Sequence, residues 1–202
     1  MDCFFINIVG WSAGIEGQLP GFVAISAFFI AILALKHSFD ITQWPVIILA
    51  GSVVGAYLAL LRFNFFPQQI QAGYSAKSLA GFFLSLLSIL SGAKLATLLF
   101  ILAVPFADAV FVILKRLFSG HSIFISDGQH FHHHLLELGW SRQQIAILYW
   151  SFSLLFGILS LVLNSWQKFL VLIILFSFLF LLIFQVSRHT SKKSNPPFHS
   201  QN

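Results

Sequence analysis

The stretch Lys115–Arg142, KRLFSGHSIFISDGQHFHHHLLELGWSR, decides how the chain is read. It is the longest polar interruption in an otherwise apolar sequence, and it carries His121, His130, His132, His133 and His134. Apolar runs on both sides are long enough to cross a bilayer, which takes about 20 helical residues. A polar loop between two such runs sits at a membrane surface. Within it, His130, His133 and His134 stand at i, i+3 and i+4, the spacing that shares one face of a helix. Asp127 lies just ahead, at the place of a helix N-cap, and Leu135, Leu136 and Leu138 would bury the segment. A helix start ringed by imidazoles can hold an anion through backbone N–H groups. The same histidines could instead ligate a transition metal, or form a solvated loop that binds nothing.

The rest of the composition agrees with a membrane setting. Of 202 residues, 58% are hydrophobic and 8% charged, against about 25% charged in a soluble domain. The expected fold is an all-α, polytopic transmembrane helix bundle. Cys3 is the sole cysteine, so no intrachain disulfide forms. The net charge of +5 comes from scattered lysines and arginines. That distribution suits the basic flanks of membrane helices and not a nucleic-acid face. Asp2 stands where a signal peptide would be positive, so no separate signal peptide is expected.

Read in order, Met1–Leu19 is a mixed stretch whose end, rich in glycine, predicts a loop or helix junction. Six spans follow, at about 20–35, 45–61, 78–90, 93–114, 145–163 and 169–186. Pro105 predicts a kink in the fourth, and Asp108 places a carboxylate inside it. Residues 1–188 then form the membrane domain, and 189–202 a disordered cytoplasmic tail. Six spans put both ends on one side. That side receives Arg62, Lys77, Lys115, Arg116, Arg142, Arg188, Lys192 and Lys193; the other receives Lys36, Lys94 and Lys168. The basic excess makes the first side cytoplasmic. The N-terminal glycines, the Arg62–Ser78 loop and the histidine loop thus meet on the cytoplasmic face of the plasma membrane.

The motif SDGQHFHHHLLELGWS resembles the C-terminal cytoplasmic signature of the polyprenyl-phosphate N-acetylhexosamine-1-phosphate transferases, which include the muramoyl-pentapeptide phosphotransferase of peptidoglycan synthesis. Asp127, His130, His132 and His133 match its pattern. VPFADAVFVILKRLFSG is similar to the preceding family segment, with Asp108, Lys115 and Arg116 in the expected places. In NIVGWSAGIEGQLPG, Asn7, Gly14, Gly17 and Gly21 match, while Ala13 and Glu16 stand where the family has aspartates. In FNFFPQQIQAGYSAKSLAGF, Phe63, Asn64, Pro67, Gly73, Gly81 and Phe82 match. Tyr74 there replaces an aspartate that binds magnesium in the family.

The resemblance implies transfer of a sugar-1-phosphate from a UDP-sugar to undecaprenyl or another polyprenyl phosphate, with release of UMP, in cell-wall or surface-polysaccharide synthesis. It implies a catalytic group of Asp108, Asp127, His130, His132 and His133. Asn7, Lys115 and Arg116 would bind substrate, and Glu16 would bind a Mg2+ cofactor. The family is longer, with an Asp-Asp motif ahead of the region matched here. The chain therefore corresponds to the C-terminal part, and the expected partners are a second copy or the N-terminal half. Tyr74 carries a second expectation. A phenol with a pKa of about 10 is a poor magnesium ligand at neutral pH, so the alternative is a catalytically inactive family member acting as a membrane scaffold or partner subunit.

Overall fold

The computed structural model describes residues 2–11, 13–36, 39–91, 94–118, 130–164, 166–174, 177–178, 180–181 and 185. Among them every regular element is a helix. These are α1 (Asp2–Trp11), α2 (Gln18–Leu35), α3 (Gln43–Asn64), α4 (Tyr74–Leu90), α5 (Lys94–Ile101), α6 (Ala103–Phe118), α7 (Phe131–Glu137) and α8 (Arg142–Val162). Residues 166–174 are helical as well.

The first element corrects the sequence reading. No helix is expected before residue 20, yet the run from Phe4 to Val9, apolar but for Asn7, lies within α1, which packs along α4. Among the described residues before α2, the stretch from 13 to 17 is non-helical. There Gly17 takes the left-handed conformation, φ 76°, and serves as N-cap of α2. A side chain at that position would be strained. Pro20 sits in the first turn of α2 as expected, where a missing N–H costs nothing.

α2 is apolar all round, which marks a helix surrounded by others. Accordingly most of it is buried, and it packs against α3, α4, α5 and α8. α2, α3 and α8 are each long and apolar enough to cross a membrane. α4 and Ala103–Leu114 of α6 are shorter apolar helices. The predicted fourth span divides at Leu102 into α5 and α6. Pro105 is the cause: it has no N–H for the carbonyl of Ile101 and its ring crowds that carbonyl.

Two ends of the bundle differ in character. At one, Lys36 at the end of α2 donates to the carbonyl of Leu161 at 2.6 Å, and Lys168 donates to Thr97 at 3.2 Å. At the other, the 13–17 stretch, the loop after α3, the start of α4 and the start of α8 converge on one cavity. Of the basic residues that the sequence divides between two sides, Lys36 and Lys168 lie at the first end and Lys77 and Arg142 at the second. Trp150 also serves this end. It lies within α8, tilts against Phe65, and donates to the carbonyl of Gly17 at 3.2 Å.

Candidate functional site

The histidine motif is built on α7, a two-turn helix that cannot be stable alone. Phe131 and Leu135, four residues apart, bury their side chains beside Ile15, Phe111, Val112, Ile145 and Tyr149. The N-cap is His130, in extended conformation. The sequence reading gave that role to Asp127, which lies outside the described residues. The carboxylate that does serve the helix start comes from α6. Asp108 is buried; its Oδ1 accepts from the Phe131 N–H at 2.7 Å, and its Oδ2 lies 3.2 Å from His130 Nδ1. An orphan donor of the first helical turn and an imidazole are thereby both held by one side chain.

The histidines do not sort as the i, i+3, i+4 pattern suggested. His132 turns inward and is 1% exposed, His134 is buried, and His133 is intermediate. The rings of His130 and His132 stack with centroids 5.7 Å apart, and those of His132 and His133 lie 4.3 Å apart. His134 Nδ1 lies 3.4 Å from a carboxylate oxygen of Glu137. Burial pushes the His132 imidazole down to about 3, with His133, His130 and the charge of Lys77 adding to it. His132 is therefore neutral at physiological pH. Burial lowers His133 too, with His130 adding and Asp108 opposing.

The inward ring of His132 meets Gly14. A Cβ built on Gly14 would stand 2.0 Å from His132 Nε2. Gly14 in turn lines a cavity of about 310 Å³, together with Glu16, Gln68, Gln71, Lys77 and Arg142. The motif and the cavity thus share one wall of backbone. Asn64, also on the lining, is a brace: its Oδ1 accepts from the Gly17 N–H at 2.8 Å and its Nδ2 donates to the Ile70 carbonyl at 2.8 Å. It ties the loop after α3 to the start of α2. Glu16 forms an ion pair with Arg142, while its other carboxylate oxygen is buried with no hydrogen bond among the described residues.

Asp108, His130, His132 and His133 are thus brought together, and Glu16 lies across the Gly14 wall. Asn7 is exposed on α1 and is not part of the cavity lining. Arg116 is buried on α6. The side chain of Lys115 lies outside the described residues. Lys77, read mainly as a membrane anchor, and Arg142, read only as a basic flank, line the cavity, as do Gln68 and Gln71. Their signal was weak because a lysine or arginine at a helix end is the ordinary positive-inside pattern.

A magnesium ion does not fit the described residues. The ion takes near-octahedral oxygen ligands. Among the described residues no three carboxylate, imidazole or thiolate side chains are gathered for a metal. Glu16 is held by Arg142, Asp108 by Phe131 and His130, and Tyr74 is 80% exposed.

No protein-family model matches the chain. Individual relatives do. A Bacillus subtilis protein described as a probable undecaprenyl-phosphate N-acetylglucosaminyl 1-phosphate transferase is 29% identical, over 94% of this chain and 54% of its own length. The phospho-N-acetylmuramoyl-pentapeptide-transferase of Bacillus licheniformis is 31% identical, over 79% of this chain and 48% of its own. The decaprenyl-phosphate N-acetylglucosaminephosphotransferase of Mycobacterium leprae is 27% identical, over 71% and 41%. The chain spans about half the length of the curated relatives it matches. The chain is thus a distant homologue, at about 30% identity, of the C-terminal half of the polyprenyl-phosphate N-acetylhexosamine-1-phosphate transferases.

Proposed function

We propose that this chain forms the C-terminal part of a site that transfers a sugar-1-phosphate from a UDP-sugar to a polyprenyl phosphate at the cytoplasmic face of the plasma membrane. In this reading residues 1–188 form a membrane domain of about six spans, and the residues beyond form a cytoplasmic tail. An oxygen of the lipid phosphate attacks the sugar-proximal phosphorus of the UDP-sugar. The bond to the bridging oxygen breaks and UMP leaves. The product would serve cell-wall or surface-polysaccharide synthesis, and the N-terminal half or a second copy would complete the site.

The observation that carries the reading is the shared wall at Gly14: the motif braced by Asp108 lies on one side and the polar cavity on the other. Neutral imidazoles and a neighbouring cationic lining suit a group that must approach phosphate oxygens. Asp127, Asn7, Lys115 and Arg116 remain part of the proposal through the matched motifs.

A second reading has its own support. The Glu16–Arg142 pair and the exposed Tyr74 favour a member that binds family ligands without turning them over, as a scaffold or partner subunit. The test is UMP release by the chain, purified alone and together with the N-terminal half of a relative, in lipid nanodiscs with undecaprenyl phosphate, UDP-N-acetylglucosamine and magnesium. Transfer predicts UMP and a sugar-bearing lipid, both reduced by His133→Ala. Silence from the chain and from its Tyr74→Asp variant would leave the second reading.

A further inference from the structure

The cavity beside the histidine motif has an unusual balance of groups for a site that is to hold a divalent cation. Among the described residues its charged lining is Lys77, Arg142 and Glu16. The one carboxylate is already paired with Arg142. Among the described residues Lys77 makes no ion pair. Two fixed cations against one carboxylate leave a surplus of positive charge, and Gln68 and Gln71 add amide donors. A dication entering here would meet two like charges and a single carboxylate, which is the reverse of what a hard cation requires. An oxyanion would meet the opposite: an ammonium, a guanidinium and amide N–H groups, which are the partners of charge-assisted hydrogen bonds.

The wall points the same way. Behind Gly14 the buried ring of His132 has no hydrogen bond at either nitrogen among the described residues. It presses Nε2 directly onto the glycine that lines the cavity. Only a residue without a side chain leaves that approach open. The cavity, about 310 Å³, is at the small end of ligand sites, which run from about 300 to 1,000 Å³.

We infer that this cavity binds a phosphate or diphosphate group directly, with Lys77 and Arg142 supplying the positive charge and no divalent metal between protein and ligand. The inference rests on reading this end of the bundle as a phosphate-handling site. The bound group belongs either to a nucleotide or to a lipid headgroup, and both present the same oxygens.

The test is calorimetric binding of inorganic diphosphate to the whole chain in nanodiscs, with EDTA and then with magnesium. Binding is expected in EDTA and is expected to weaken as magnesium sequesters the diphosphate. Lys77→Gln should weaken it roughly 10- to 100-fold, the worth of one charged hydrogen bond. Gln71→Glu, which adds a negative charge without removing a basic residue, should weaken it too. Glu16→Gln separates the two views most sharply. It tightens binding if Glu16 only competes for Arg142, and abolishes it if Glu16 holds a metal. Binding that requires magnesium, loss of binding in Glu16→Gln, or no binding in either buffer would overturn the inference. Displacement by UDP assigns the group to a nucleotide, and displacement by polyprenyl phosphate in the nanodisc assigns it to a lipid; displacement by neither also overturns it. Metal-free binding without UMP release would keep this inference and remove the transfer reading. UMP release with strictly magnesium-dependent binding would do the reverse.

Discussion

Asp108 and His132 show how single residues set this site. Asp108 commits both carboxylate oxygens to the start of α7, one to the Phe131 N–H and one to His130. Asp108→Ala leaves a buried donor unsatisfied, at about 1–3 kcal/mol. It should also raise amide hydrogen exchange across Phe131–Glu137 more than elsewhere. Asp108→Asn keeps an acceptor for Phe131 and should protect α7 better than alanine does. His132 gives a pH signature. The unfolded chain takes up a proton near 6.5, whereas the folded one holds this imidazole neutral down to about 3. Below 6.5 the unfolded state therefore binds more protons, and stability is lost as pH falls through the window from 6.5 to 3. At pH 5 that is about 2 kcal/mol. The thermal unfolding midpoint should drop between pH 7.5 and pH 5, and His132→Phe should flatten the drop. The residues themselves were legible in the sequence, because an aspartate in an apolar run and clustered histidines are both rare. Their arrangement was not. Helix spacing grouped His130, His133 and His134, but α7 begins one residue after His130, and tertiary packing turned His132 inward instead.

At the scale of elements, glycines decide which helices meet. A Cβ on Gly21 would stand 1.9 Å from the Trp150 ring, and one on Gly157 would stand 2.0 Å from the Phe29 ring. α2 and α8 approach through these two positions. Gly21→Ala and Gly157→Ala should each cost about 1–3 kcal/mol by overpacking. Gly51 and Gly55 of α3 have nothing within 4 Å of an added Cβ. Gly51→Ala and Gly55→Ala should therefore be neutral or stabilise by up to about 1 kcal/mol through helix propensity. Denaturation midpoints of the four variants in one detergent check the contrast. The sequence showed the long apolar helices and the proline break, because both follow from local chemistry. It also held an unread signal for the start of α8. Ser141 and Gln144 form a capping box, with Ser141 N–H donating to the Gln144 side chain at 2.9 Å and Gln144 N–H to Ser141 Oγ at 3.2 Å. α1 was missed because its glycine-rich sequel drew the whole stretch into a loop; the apolar run before Gly10 finds its partner in α4, which is 70 residues away and invisible to any local pattern.

The whole molecule has two polar ends, one plain and one carrying the candidate site. Sidedness is open to direct labelling. In a Cys3→Ser background, Lys36→Cys should react with an impermeant thiol reagent in intact cells, and Gln68→Cys only after permeabilisation. What the sequence conveyed at this scale was the partition of basic residues. What it could not convey was that Lys77 and Arg142 leave their flanking roles to line a cavity with Glu16, since that pairing spans 126 positions in the chain. In the proposed function the cavity and the histidine motif are one substrate site. It is tested most directly by placing a single cysteine at Gln71 in the Cys3→Ser chain and measuring its rate of thiol labelling in nanodiscs with and without UDP-N-acetylglucosamine. The UDP-sugar should slow labelling, and His133→Ala should reduce this protection. An unchanged labelling rate at saturating UDP-sugar would contradict it.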